Sequence, residues 1–373
     1  MHAASVGEVL ALKTFIEKLL TAYPGLAITV TTFTPTGSAQ VKKLFGDRVQ
    51  HCYFPLDIVF CSGLFLRRLK PKALVVMETE LWPNITYQAA RKNIKLLLIN
   101  GRLSATSGRR YQKLTSLITP CINRFDKILC QSSDNQVNFI KLGALAEKCL
   151  VSGNLKFDIT PNNDVSAKKQ ELEQYLNTDR PVWLFASTHP GDEDIALKTF
   201  QQTLKNQPDL LLVLVPRHPE RFDQVAQLCQ KQGLNLLRRT EKQKVTANIQ
   251  VWLLDTLGEL MPTFSLATLV TMGGSFSQIG GHNPLEPALF KKPVTVGPDM
   301  SNFTEIFQQL STEQGILQLD KSSDYSTRLS QLVLSLLKDK EQAQRLGENA
   351  YRVVLANQGA SQRTLEQLQA LLR

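Results

Sequence analysis

The residues best suited to chemistry lie in Gly273-Gly274-Ser275-Phe276 and, four positions on, Gly280-Gly281-His282-Asn283-Pro284-Leu285-Glu286-Pro287. The apolar run Leu266 to Met272 before them reads as a buried strand, and the glycines permit tight turns and close backbone approach that a Cβ would block. Asn283 suits a helix N-cap, Pro284 the first helical position, and Glu286 the return carboxylate of a capping box. Unpaired amides and the positive end of a helix dipole there would favour an anion such as a phosphate. Glu286 is then either a simple cap or a ligand contact, and the loop alone does not decide between them.

Other loops carry complementary groups. Met1-His2-Ala3-Ala4-Ser5-Val6-Gly7-Glu8 brings a carboxylate to a helix start, where it serves as a base, as a hydrogen-bond acceptor or merely as a first-turn acid. Met77-Glu78-Thr79-Glu80-Leu81-Trp82-Pro83-Asn84 sets two acids directly after an apolar strand. If strand geometry persists, Glu78 and Glu80 point the same way, one pairing with nearby basic residues and the other left for substrate. Ser187-Thr188-His189-Pro190-Gly191 and Pro216-Arg217-His218-Pro219-Glu220-Arg221 each follow a strand and precede a helix, and Arg217 is a natural fork for phosphate or carboxylate. His189, His218 and His282 lack the i, i+4 spacing of a helical metal site, so hydrogen-bonding roles are expected and no metal or cofactor. Asp192-Glu193-Asp194 reads as helix-start acids favoured by the dipole rather than as metal ligands.

The elements that must hold these loops alternate short apolar strands with amphipathic helices, the pattern of parallel sheets covered on both faces. In the first half strands are expected at 26–32, 73–77, 95–99 and 127–130, with helices at 9–20 and 84–92. In the second half they are expected at 182–186, 210–215, 234–237, 251–254, 266–272 and 294–296. The polar stretch Thr160-Pro161-Asn162-Asn163-Asp164 reads as a linker. The fold class is α/β, with two doubly wound Rossmann-like domains facing a cleft, and the polar loops fall at strand ends where open α/β sheets take ligands. No G-x-G-x-x-G follows a first strand, and neither a P-loop nor a G-x-S-x-G is present, which counts against dehydrogenase, P-loop NTPase and α/β-hydrolase readings.

The 373 residues are 43% hydrophobic, enough for two buried cores. The six cysteines show no C-x-x-C, and reduced thiols are expected. No apolar run approaches the ~18 residues of a membrane span, and no signal-peptide pattern opens the chain. The net charge of +10 is one-sided: residues 1–155 hold 20 Lys+Arg against 9 Asp+Glu, the remainder 23 against 24. The densest patch is Arg91, Lys92, Lys95, Arg102, Arg109, Arg110 and Lys113. It lacks interleaved aromatics and any nucleic-acid motif, so an anionic lipid surface or acceptor ranks above nucleic acid; the bland alternative is a solubilising basic face.

Taken together, HAASVGE (2–8), METELWPN (77–84), NGRLS (100–104), GNLKFD (153–158), STHPGDE (187–193), VPRHPER (215–221), DTLGEL (255–260) and GGHNPLEP (280–287) resemble the Kdo transferases of Gram-negative bacteria. The resemblance implies a GT-B fold and transfer of 3-deoxy-D-manno-octulosonic acid (Kdo) from CMP-Kdo to a lipid A precursor (lipid IVA) of lipopolysaccharide, with inversion and without a metal. It implies an N-terminal acceptor domain at 1–155 and a CMP-sugar domain at 156–373, whose last helices are candidates to pack back on the first. It makes Glu8 the general base and gives Ser5, Glu78, Glu80 and Arg102 to acceptor or donor positioning. The CMP site would comprise Lys156, His189, Arg217, Leu257, Gly273, Gly274, Ser275, Asn283 and Glu286, with Glu286 on the ribose hydroxyls and the glycines and helix end on phosphate; Leu257 stands where the family often has Met. The expected location is peripheral, on the cytoplasmic face of the inner membrane. The family pattern also has an anchoring helix and a first strand upstream of HAASVGE. Met1 stands at the end of that strand here, so the Glu8 loop is expected to hang from a free terminus, where disorder concentrates. The alternatives are another GT-B transferase or epimerase using a UDP-sugar, and a catalytically silent nucleotide- or lipid-binding fragment.

Overall fold

The computed structural model describes residues 1–160, 164–176 and 178–373. The chain divides into two compact units, Met1–Thr160 with Asn357–Arg373, and Pro161–Ala356. The boundary falls at 160 rather than 155, so residues 156–160 belong to the first unit; so do the last 17 residues, whose helix is a candidate to pack back there. Of the expected linker, residues 161–163 lie outside the described residues.

In the first unit six strands, β1 (Thr29–Thr32), β2 (Gln50–Tyr53), β3 (Ala73–Met77), β4 (Lys95–Gly101), β5 (Lys127–Cys130) and β6 (Cys149–Val151), pair in parallel as β1-β2 and β3-β4-β5-β6. The chain start closes the gap between the two sets. His2 bridges Thr31 on one side and Val76 on the other, with His2 N donating to Val75 O (2.8 Å), Ala3 N to Thr31 O (3.0 Å), Thr31 N to Met1 O (2.8 Å) and Met77 N to His2 O (3.1 Å). The expectation of a loosely hanging Glu8 loop is therefore corrected: ladder bonds on both edges fix the segment that feeds it.

Alternation along the central strands sorts side chains into two cores. Val75, Met77, Leu97, Ile99 and Leu129 face one, and Leu74, Val76, Leu96, Leu98, Ile128 and Cys130 the other. The first core is completed by the helix Val6–Ala22, through Val9, Leu12, Phe15 and Ile16, and by the C-terminal helix Ala360–Leu372, through Ala360, Leu365 and Leu368. Asp158 secures that last helix by accepting from Gly359 N (2.6 Å) and Ser361 N, satisfying amides that a helix start leaves unpaired.

The second unit is one parallel seven-stranded sheet of β7 (Val182–Thr188), β8 (Leu211–Pro216), β9 (Leu236–Arg238), β10 (Val251–Leu253), β11 (Leu269–Met272), β12 (Val294–Val296) and β13 (Leu317–Gln318). Its order is β13-β12-β11-β7-β8-β10-β9, the doubly wound arrangement with β7 and β11 at its centre. Every residue of β7, β8 and β11 is buried, which is why they read as largely apolar runs with no polar–apolar alternation. The expected strand 266–272 is shorter: Leu266 ends the helix Leu260–Leu266, and the strand begins at Leu269. All six cysteines are free thiols.

Candidate active site

In the first unit Ser5 caps the helix Val6–Ala22, and Glu8 occupies its third position. Ser5 Oγ donates to Glu8 Oε1 (2.9 Å) and accepts from Glu8 N (3.3 Å), while Ala4 N donates to Glu8 Oε2 (2.8 Å). The carboxylate thus reaches back to the Ser5 hydroxyl and the Ala4 amide, but it is 9% exposed and is pushed up to about 7, first by burial and then by the charges of Glu78 and, more weakly, Glu80. An ordinary first-turn acid would be solvated and lowered. Glu8 is instead a carboxyl poised to exchange a proton near neutrality.

Glu78 and Glu80 do not keep strand geometry. Glu78 adopts φ +52°, a conformation disfavoured for a residue with a Cβ, and the chain turns there. The two acids consequently reach different partners, Glu78 pairing with Lys156 Nζ (3.7 Å) and Glu80 accepting from Trp82 Nε1 (2.8 Å). His2 Nε2 lies 3.8 Å from Glu80. The ring of His2 is fully buried, stacked on Phe54 at 3.8 Å, and burial lowers its pKa. Lys156, expected at the nucleotide site, belongs to the first unit and faces Glu78. The half-buried Arg102 follows β4, its carbonyl taking a bond from Thr79 Oγ1. Arg91, Lys92, Lys95, Arg109, Arg110 and Lys113 are exposed on the same unit.

A polar lock that sequence reasoning did not assign fixes Lys156. Asn100, also at φ +52°, accepts from Leu155 N (2.9 Å) and through its carbonyl from Gln131 Nε2 (3.0 Å). Asn154 Nδ2 donates to Gln131 Oε1 (3.1 Å), and Asn154 Oδ1 accepts from Lys156 N (3.0 Å). The NGRLS and GNLKFD loops are thus joined by buried amides, the signal being paired Asn and Gln residues at strand ends.

In the second unit the loops after β7, β8 and β11 meet. His189 Nε2 and His282 Nε2 are 2.8 Å apart with nearly parallel rings, so one nitrogen donates and the other accepts. Burial, the other imidazoles and the Arg217 guanidinium push both down, His189 to about 4 and His282 to about 3, and the pair is neutral at pH 7. Arg217 is exposed at the end of β8, its amide held by Thr188 O (3.0 Å). Glu286 is half-buried and raised to about 7 by burial, against the opposing pull of Asn283 and the Arg217 charge.

Three expectations for the glycine loop are corrected. The helix it opens spans only Leu285–Ala288, so its dipole is small, and Pro284 rather than Asn283 stands at the cap. Asn283 Oδ1 still accepts from Leu285 N (3.2 Å), and Asn283 Nδ2 donates to Glu286 Oε1 (3.5 Å), leaving Glu286 no backbone amide and no capping box. The amides of Gly273 and Gly274, expected to face phosphate, are taken by Ala186 O (2.7 Å) and Asp192 Oδ2 (2.7 Å). Gly273 is required because a Cβ there would lie 2.6 Å from the backbone oxygen of Ser187, and Gly281 is favoured by its φ of +73°. Ser275 is fully buried, its hydroxyl donating to Met272 O (2.6 Å) and accepting from Gly297 N (2.8 Å). Leu257 is 67% exposed on its loop.

Asp192 and Glu193, read as dipole acids, are both fully buried. Glu193 holds Arg221 (2.6 Å) and Thr188 Oγ1 (2.7 Å). Their burial has no local sequence signal, since the same acids suit an exposed helix start. Among the described residues no group of three metal-ligating side chains is assembled, and no helix is long and apolar enough to cross a membrane.

Two parallel α/β units, each with its polar loops gathered where its strands end, place the chain in the GT-B fold class. The same fold occurs in UDP-GlcNAc 2-epimerase from Neisseria meningitidis bound to UDP-GlcNAc, which is 15% identical with a TM-score of 0.61 over 99% of this chain and 98% of its own. The sequence model of the 3-deoxy-D-manno-octulosonic-acid transferase (kdotransferase) family matches residues 1–159. A 3-deoxy-D-manno-octulosonic acid transferase of Haemophilus influenzae is 42% identical over 372 residues, spanning 100% of this chain and 86% of its own length. One from Rickettsia felis is 31% identical over 361 residues, spanning 95% and 76%. This chain belongs to the 3-deoxy-D-manno-octulosonic acid transferase family.

Proposed function

We propose that the protein transfers Kdo from CMP-Kdo to a lipid A precursor, lipid IVA, in lipopolysaccharide assembly, with Glu8 as general base and inversion at the anomeric carbon. The carrying observation is Glu8 itself: a buried carboxyl brought to about 7 by burial and by Glu78, the range in which a base is both unprotonated in part and strong enough to act. Glu8 takes the proton of the acceptor hydroxyl as that oxygen bonds to the anomeric carbon, and the bond to the CMP phosphate breaks with its electron pair leaving on CMP. A phosphate leaves as an anion and needs no protonated leaving oxygen, so one carboxylate suffices where glycoside hydrolysis uses two.

In the second unit, His189, Arg217, Asn283 and Glu286 are the residues we assign to the nucleotide. Arg217 meets the phosphate, Glu286 accepts from the ribose hydroxyls, and Leu257 offers an exposed apolar contact. Gly273, Gly274 and Ser275 act as scaffold. In the first unit Lys156 neutralises Glu78, Ser5 fixes Glu8, and Glu80 and Arg102 position the acceptor. The excess positive charge of residues 1–155 suits an acceptor bearing phosphates and an anionic membrane surface at the cytoplasmic face of the inner membrane. Incubation with enzymatically generated CMP-Kdo and tetraacyl lipid A precursor should yield Kdo-modified lipid. UDP displacing CMP in a binding competition would favour a UDP-sugar enzyme instead, and CMP binding without turnover would favour a silent fragment.

A further inference from the structure

Asp192 opens the helix Asp192–Leu204 behind Gly191, yet its carboxylate does not turn to solvent as a first-turn acid would. It is fully buried, and Oδ2 collects three donors: His189 N (2.9 Å) from its own loop, and Gly274 N (2.7 Å) and Ser277 Oγ (3.3 Å) from the loop after β11. Oδ1 has no hydrogen-bond partner. Gly274 is the pivot of the second loop. At φ +70° its carbonyl accepts from Ile279 N (3.2 Å) and Gly281 N (3.0 Å), and a Cβ on it would stand 3.0 Å from the His282 ring. His282 in turn closes on His189 across the 2.8 Å Nε2 contact. The connections form a ring, from Asp192 to Gly274, along the loop to His282, across to His189 and back to Asp192.

We propose that Asp192 is a positioning residue for the donor half of the reaction, locking the loops after β7 and β11 in the register that sets His189, His282, Asn283 and Glu286 around the nucleotide. The inference rests on the donor-site reading above. An acid tied only to its own helix would leave the β11 loop untouched, whereas two of the three donors to Asp192 come from that loop. Removing the carboxylate frees Gly274 N and the backbone amide of His189 and unlinks the imidazole pair, while every side chain assigned to CMP stays in place. The cost should fall on binding of the donor, because the loops must then be ordered at the moment the nucleotide arrives.

The test compares the full chain with Asp192→Ala, Asp192→Asn and Leu197→Ala, the last a fully buried core residue of the same helix. CMP is titrated calorimetrically, and the imidazoles are observed by long-range proton–nitrogen correlation. Asp192→Ala should weaken CMP by roughly tenfold or more and raise KM for the donor with a smaller change in kcat. It should also abolish the spectral signature of the hydrogen shared by His189 and His282. Asp192→Asn, which keeps an acceptor oxygen for Gly274 N, should stay within about threefold of the unaltered protein. Leu197→Ala should lower Tm yet leave CMP affinity unchanged. Wild-type CMP affinity in Asp192→Ala, or an equal loss in Leu197→Ala, would overturn the proposal. Should the unaltered protein not bind CMP while Asp192→Ala still alters the imidazole spectrum, the donor assignment fails and the loop lock stands.

Discussion

Replacing Glu8 by Gln should make the protein more stable at alkaline pH while disabling it. Glu8 is 9% exposed, and its carboxyl stands at about 7 in the folded protein against an ordinary value of 4.5. The folded state therefore holds the proton more tightly than the unfolded one, so stability falls as pH rises from 4.5 through 7 and is level on either side. The difference of two to three pH units corresponds to about 3 kcal/mol lost between pH 4 and pH 8, at 1.36 kcal/mol per unit. Gln is isosteric with the protonated acid and can keep the bond from Ala4 N, so it removes this loss while preserving the cap. Urea unfolding at pH 5 and pH 8 should show Glu8→Gln more stable than the unaltered protein by about 2–3 kcal/mol at pH 8 and by less than 1 kcal/mol at pH 5. A difference that does not change with pH, or one of opposite sign at pH 8, would refute the assignment of a raised carboxyl.

Lys156→Met leaves the charge of Glu78 unneutralised beside Glu8, so the acid limb of the pH–rate profile should move to higher pH by up to about one unit. Asp158→Ala removes the acceptor of Gly359 N and Ser361 N, and should cost about 1–3 kcal/mol, seen as earlier proteolysis near residue 359 with CMP affinity unchanged. If the ribose hydroxyls donate to ionised Glu286, CMP should bind more tightly as pH rises to about 7 and then level off. Glu286→Gln should flatten that dependence in calorimetric titrations and weaken binding roughly tenfold.

Strands that are apolar runs were legible to the residue: Ala73–Met77, Lys127–Cys130 and Val294–Val296 are buried from both faces and need no partner to be recognised. Gln50–Tyr53 was not, because at the end of its pairing order its side chains are only partly covered and its residues are polar. The site divided along similar lines. The glycine loop announced close backbone approach but not what approaches, and the neighbour is the end of β7 rather than a ligand. Asp192 illustrates the remaining gap. Whether an acid at a helix start is solvated or buried depends on a loop some 80 residues away, and no local spacing encodes that contact. Glu8 fell between the two cases: its capping position was readable, whereas its raised pKa comes from burial and from Glu78, far along the chain.

The central claim is that Glu8 is the base of Kdo transfer. Its most direct test is the pH dependence of kcat/KM for transfer from CMP-Kdo to the tetraacyl acceptor, measured for the unaltered protein and for Glu8→Gln. The account predicts a limb rising to a plateau with an apparent pKa near 7 in the first, and in the second a rate lower by about 10²–10⁴ with that limb gone. A Glu8→Gln protein that transfers Kdo at the unaltered rate, with the same limb, would contradict it.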